Sequence, residues 1–132
     1  MMRYSDTLHQ YFSHPCRVGM LPVGTPGRGA ARVGEARHGG VIDLSIQIDA
    51  ATDSVLDAGF RAYGCGATIA AASWVCAWLP GHTTSQVSEL RDSLISQALT
   101  LPPAKLHCAV LAVSAAHAAL ADYQASRLVN KS

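Results

Sequence analysis

From Val41 to Asp49 apolar and polar side chains alternate without a break: Ile42, Leu44, Ile46 and Ile48 fall on one face, Asp43, Ser45, Gln47 and Asp49 on the other. A period of two over that length predicts a half-buried β-strand. After the turn-forming AATDS, the run VLDAGFRAY puts Leu56, Ala58, Phe60 and Ala62 on an inner face, so the two runs predict an antiparallel hairpin. The period then changes. Residues 67–79 are apolar nearly all round, rich in Ala, Ile and Trp, and Pro80-Gly81 ends them, which predicts a buried helix. Thr83 or Thr84 can cap a short helix reaching Glu89 or Leu90, and residues 91–99 predict another. A last helix is expected to start near Pro103, where a missing amide proton is harmless, and to run to about Leu128, largely buried by Ala, Val and Leu around most of its circumference.

The amino-terminal part is less regular. Leu8, Tyr11 and Phe12 stand at helical spacing in residues 5–13, a short docking helix ended by Pro15. Residues 16–40 hold seven of the eleven glycines together with Pro22 and Pro26, and predict a long mobile loop with a short strand near Met20–Val23. Neither a repeat nor a compositional break divides the chain, so residues 1–132 are expected to form one domain. Its class is α+β, a small antiparallel sheet with helices packed on one face.

Composition narrows the function. Lys and Arg number 10 against 9 Asp and Glu, which leaves no basic field for a nucleic acid. The start MMRYSDTLHQYF lacks the pattern of a secretory signal, and the longest apolar stretches, 67–79 and 109–121, fall short of the ~20 residues a bilayer requires. A protein of the cytoplasm without membrane contact is expected. Four cysteines, at 16, 65, 76 and 108, form no CxxC pair, and in a protein expected among reduced thiols a disulfide framework is disfavoured, which leaves packing, nucleophilic chemistry or metal ligation.

Two of those cysteines stand where chemistry is favoured. Cys65, between Gly64 and Gly66, occupies the corner from strand to helix, where amides and the helix dipole stabilise a thiolate; it could equally be a small filler at a tight turn. His107 and Cys108 are adjacent near the start of the last helix, and both are competent metal ligands. His38, in RHGG, could complete a set of two sulfurs and two imidazoles, or simply be solvated. Cys76, inside the apolar helix, is assigned to packing, and Cys16 is given no role. GTPGRG lacks the GK[ST] ending of a phosphate loop.

YGCGATIAAASWVCAWLPG at 63–81, followed by LPPAKLHCAVLAVSAAHAALADYQ at 101–124, resembles the NifU-like, IscU-type scaffolds of iron-sulfur cluster assembly. HPCRVG resembles that family's amino-terminal Pro-Arg-Asn-Val-Gly segment, and VIDLSIQID its first long strand, so the resemblance covers nearly the whole chain. It implies a SufE/NifU-like fold and a scaffold rather than an enzyme. Such a scaffold binds iron, accepts sulfur from a cysteine desulfurase, builds a transient two-iron two-sulfur cluster and hands it to acceptor proteins. The family's second and third cysteines fall on Cys65 and Cys108, the histidine before the third on His107, and Cys108 becomes the candidate persulfide acceptor. Leu101, Pro102, Pro103, Ala104 and Lys105 match the segment offered to a DnaK-type chaperone working with its co-chaperone.

The chain departs from the pattern where the family carries Gly-Ala-Pro-Ala-Cys-Gly-Asp: His38 stands for the first cysteine and Gly40 for the aspartate. A ligand set of His38, Cys65, His107 and Cys108 would carry less negative charge than three thiolates, suits tetrahedral zinc in the resting protein, and has the sulfur and nitrogen count of a Rieske cluster. Three functions therefore stand side by side: a cluster scaffold; a degenerate scaffold that binds zinc or regulates a partner without assembling clusters; and a thiol enzyme in which His107 or His38 activates Cys65.

Overall fold

The computed structural model describes residues 19–35 and 39–130. The helix expected over 5–13, Cys16 and His38 lie outside the described residues. Three antiparallel strands, β1 (Arg28–Glu35), β2 (Gly40–Asp49) and β3 (Ser54–Gly64), pair in the order β1-β2-β3. Helices α1 (Gly66–Trp78), α2 (Thr84–Ser88), α3 (Asp92–Leu99) and α4 (Leu106–Asn130) follow, with a 3-10 turn at Pro103–Lys105 leading into α4. The expected α+β architecture is therefore present. α1 packs on β2 and β3, α4 lies across β1, β2 and α1, and α2 and α3 also pack against α4.

The core follows from the alternation in β2. Ile42, Leu44, Ile46 and Ile48 are buried beneath the helices, joined from β3 by Ala58 and Phe60, with Phe60 directly opposite Leu44. Above them α1 contributes Ala67, Ala70, Ala71 and Val75, and α4 contributes Ala109, Ala112, Ala115, Ala116 and Ala119. Small side chains on both helices let their backbones lie close to the sheet. Thr83 accepts a hydrogen bond from the Gln86 amide while the Gln86 side chain accepts from the Thr83 amide, a reciprocal cap that fixes the start of α2.

Five expectations are corrected. The glycine-rich stretch contains an eight-residue strand, β1, and not a mobile loop with a strand at Met20–Val23. Its glycines include Gly29, buried where α4 crosses the strand: a Cβ there would lie 2.4 Å from the Ala119 carbonyl oxygen. Leu56 is not inward but 53 % exposed. The β2–β3 register shifts after Gln47, which pairs with Asp57 while Ile48 pairs with Val55, so Leu56 is the extra residue of a bulge and Val55 takes the buried place.

The outer face of β2 is not simply solvated either. Ser45 is fully buried, accepting from the Leu21 amide and donating to the Gly59 carbonyl, and Asp43 is covered by a two-pronged ion pair with Arg32 at 2.6 and 2.9 Å. α4 is buried along one side only, since a helix on one face of a narrow sheet has one face to cover; Val110 is 50 % exposed and Ser114 is exposed. Finally, the chain does contain a helical stretch, Pro103–Arg127, long and apolar enough by length and composition alone to cross a bilayer. The folded helix instead places its alanines against the sheet and α1.

Candidate functional site

The sheet ends in a corner. Gly64 closes β3 with φ +148°, a conformation that disfavours side chains, and a Cβ there would sit 2.6 Å from the Gly39 carbonyl oxygen. Glycine thus lets the strand turn sharply beside the start of β2. Cys65 follows as the N-cap of α1, with extended dihedrals, and its carbonyl accepts from the Thr68 and Ile69 amides. α4 starts against the same corner, so its first turn delivers Cys108 to the first turn of α1.

The two sulfurs, 43 residues apart in sequence, lie 3.9 Å apart. They are not equivalent. Cys65 is partly exposed, whereas Cys108 has no exposed surface. Burial pushes the Cys65 thiol up, but hydrogen bonds from the Thr68 hydroxyl, the Thr68 and Ala67 amides and Cys108 outweigh it and bring it down to about 7. Burial raises the Cys108 thiol, and the charge on Cys65 adds to the rise; the Thr68 hydroxyl and the positive charge of Lys105 only partly offset it. At neutral pH the outer sulfur is therefore about half thiolate, while the inner one stays mostly thiol.

His107 is exposed, with Nε2 3.6 Å from Cys108 Sγ. Gly39 lies beside the same ring: a Cβ on it would be 3.7 Å from Nε2. Cys65, Cys108 and His107 are thus brought to one rim. Among the described residues, no group of three or more His, Cys, Asp and Glu side chains is placed to hold a metal ion, so the described residues do not by themselves make the tetrahedral zinc set expected with His38. The buried state of Cys108 also means that a sulfur donor cannot meet it directly in this conformation. The other described cysteine and histidines have ordinary roles: Cys76 is buried in the core, His82 stacks on Trp78 and bonds its carbonyl oxygen at 2.6 Å, and His117 bonds the Val87 carbonyl oxygen.

One polar group was missed in the sequence. The hydroxyl of Thr68, 1 % exposed, lies 3.5 Å from Cys65 Sγ and 3.4 Å from Cys108 Sγ. Its position three residues after an N-cap, on the same helix face as Cys65, was the available signal. Around the rim, Tyr63, Leu106 and Val110 leave large apolar surfaces exposed.

Comparison with known proteins identifies the family. The chain is 36 % identical over 126 residues to the iron-sulfur cluster assembly scaffold protein IscU of Haemophilus influenzae, covering 96 % of this chain and 99 % of that protein. It is 34 % identical to iron-sulfur cluster assembly protein 1 of Arabidopsis thaliana, covering 95 % of this chain and 75 % of that one. The crystal structure of the N-terminal part of a nitrogen-fixing NifU-like protein from Brucella abortus superposes with a TM-score of 0.69 at 14 % identity, over 91 % of this chain and 93 % of that one, and so shares the fold. The model of the NifU-like N-terminal domain matches residues 3–130, and with relatives of this identity over nearly the full length, the chain belongs to the NifU-like N-terminal domain family.

Proposed function

We propose that this chain is an iron-sulfur cluster assembly scaffold, acting as a single domain over residues 1–132, on which iron and sulfur are combined at the Cys65–Cys108 rim and then released to acceptor proteins. The observation that carries the reading is the pair of facing sulfurs, 3.9 Å apart, at a partly exposed edge. Two thiolates at that separation can ligate one iron, while sulfides of the cluster being built complete its coordination. His107 adds a nitrogen donor beside them. His38 is proposed as the fourth donor, supported by the proximity of its neighbour Gly39 to the His107 ring. The relatives carry names of iron-sulfur cluster assembly proteins, that of Haemophilus influenzae the name of a scaffold, which favours this reading over a zinc-binding or regulatory one.

Sulfur would reach the site as a persulfide on a donor such as a cysteine desulfurase. The Cys65 thiolate attacks the outer sulfur of that persulfide; the new S–S bond forms on Cys65, the donor's S–S bond breaks, and the donor cysteine leaves as thiolate. Cys108, once deprotonated, can repeat the attack on the Cys65 persulfide across the 3.9 Å gap, releasing the Cys65 thiolate and carrying the sulfur inward. Cys108 thereby remains the final acceptor, reached by relay. The 3-10 turn after Leu101, with Pro103 and Ala104 exposed, is the proposed docking segment for a DnaK-type chaperone and its co-chaperone.

The test is anaerobic reconstitution with ferrous iron, a desulfurase supplied with cysteine, and dithiothreitol, whose oxidation to its disulfide supplies the two electrons that reduce each persulfide sulfur to sulfide. The parent chain should develop sulfur-to-iron charge-transfer absorption, and Cys65→Ser or Cys108→Ser should abolish it. A parent chain that stays colourless and holds no acid-labile sulfide would overturn the scaffold reading.

A further inference from the structure

Thr68 occupies a place no bystander would hold. Its hydroxyl lies within 3.5 Å of both sulfurs, and nothing of it is open to water beyond 1 % of its surface. A β-branched side chain on a helix has few rotamers, so the first turn of α1 fixes where that hydroxyl sits. The room for it comes from Gly40: a Cβ on that residue would lie 3.0 Å from Thr68 Cγ2 and 3.2 Å from Thr68 Oγ1, and 3.0 Å from the Tyr63 carbonyl oxygen. A bare Cα on β2, a threonine on α1 and a cysteine on each of α1's cap and α4 therefore form one packed unit.

A hydroxyl carries one proton and two lone pairs, so it can donate to a thiolate and accept from a thiol at the same time. Only one residue is then needed to tie two sulfurs from different helices into a single facing geometry. We propose that Thr68 is a positioning residue that holds Cys65 and Cys108 face to face through hydrogen bonds to both sulfurs. Its consequence for cluster assembly rests on the scaffold reading above: with cargo bound, the hydroxyl donates to a ligating sulfur, and hydrogen bonds to ligand sulfurs raise the reduction potential of a cluster. Its geometric role requires no cargo.

The test compares Thr68→Ser, which keeps the hydroxyl, with Thr68→Ala and the isosteric Thr68→Val, which lack it. Each reduced, metal-free chain is treated with dibromobimane, a short reagent that joins two neighbouring thiols. Peptide mass spectrometry gives the ratio of Cys65–Cys108 cross-link to Cys65 alkylated alone, a ratio set by the second, intramolecular step. The parent and Thr68→Ser should cross-link alike, and Thr68→Ala and Thr68→Val roughly three- to ten-fold less, the factor expected from losing a hydrogen bond of ordinary strength. Circular dichroism establishes that the variants fold; if Thr68→Val does not, the Ser and Ala pair decides. Equal ratios in all chains, or no cross-link in the parent, would overturn the proposal. On reconstituted chains, Thr68→Ala should shift the cluster potential downward and Thr68→Ser should restore it. A parent that forms no cluster sinks the scaffold reading but leaves the cross-linking result to decide the role of Thr68.

Discussion

Replacing Gly29 by alanine tests whether the glycine-rich stretch is a strand pressed against α4. The backbone of Gly29 is not in the left-handed region, so alanine can adopt it and only space is at issue. The added Cβ would lie 2.4 Å from the Ala119 carbonyl oxygen, 2.7 Å from Tyr123 Cβ and 2.9 Å from the Tyr123 amide nitrogen. Two of the three obstacles are helix backbone, which cannot rotate away as a side chain could. Restoring ordinary contact requires β1 and α4 to part by about 1 Å, and overpacking of this kind costs typically 1–3 kcal/mol, here the upper end. For 132 residues the entropy of unfolding is roughly 0.28 kcal/mol/K, so a loss of about 3 kcal/mol lowers the melting temperature by about 11 °C. Gly24→Ala is the control, because nothing lies within 4 Å of its Cβ, and it should melt within about 2 °C of the parent or slightly above it. Thermal unfolding followed by circular dichroism gives both numbers. If Gly29→Ala melted together with Gly24→Ala, the close crossing of β1 and α4 would be refuted, and the strand assignment with it.

Three further outcomes are expected. The rate of alkylation of Cys65 by iodoacetamide, followed by peptide mass, should rise through pH 7 and gain only about a tenth between pH 8 and 9, because its thiol is brought down to about 7; a thiol left near 8.5 would gain about three-fold over the same interval. Val55→Ala should cost about 2 kcal/mol and Leu56→Ala no more than about 0.5 kcal/mol, read from urea unfolding; the reverse order would remove the bulge. Thr83→Ala breaks the reciprocal cap of α2 and should lower the melting temperature by about 4 °C, equivalent to about 1 kcal/mol, whereas Thr83→Ser should restore most of it.

β2 was legible because its alternation is uninterrupted, and α1 because an apolar run ends in Pro80-Gly81. β1 was not, for a reason in its packing. Glycine is a poor strand former when only local preference counts, but Gly29 serves a contact with residues 90 and more positions away, which no local pattern can report. Leu56 fails in the same way. Strict alternation assigns it inward, and only the unequal lengths of β2 and β3 across the bulge turn it out to solvent. Ser45 reads as an outward polar residue, and it does point to that face, but the Gly19–Leu21 segment crosses there and its backbone bonds to Ser45 and Phe60.

The site divides along similar lines. Each of Cys65 and Cys108 stands at the beginning of a helix, a position readable from glycine and proline alone, and the family resemblance joined the two. What the sequence could not carry is their difference. Helix α4 arrives at the corner from behind, so Cys108 is sealed by α1, Thr68 and the rim while Cys65 caps the outer end of the sheet. That difference in exposure becomes a difference in ionisation, because burial without a full set of donors disfavours charge and the amides of an N-cap favour it. A pair of identical thiols would accept sulfur at either atom. In the relay proposed above, a readily ionised outer sulfur backed by an inner thiol would receive it at one atom and pass it in one direction, and the proton that Cys108 must lose to take it lies within reach of Thr68 and His107.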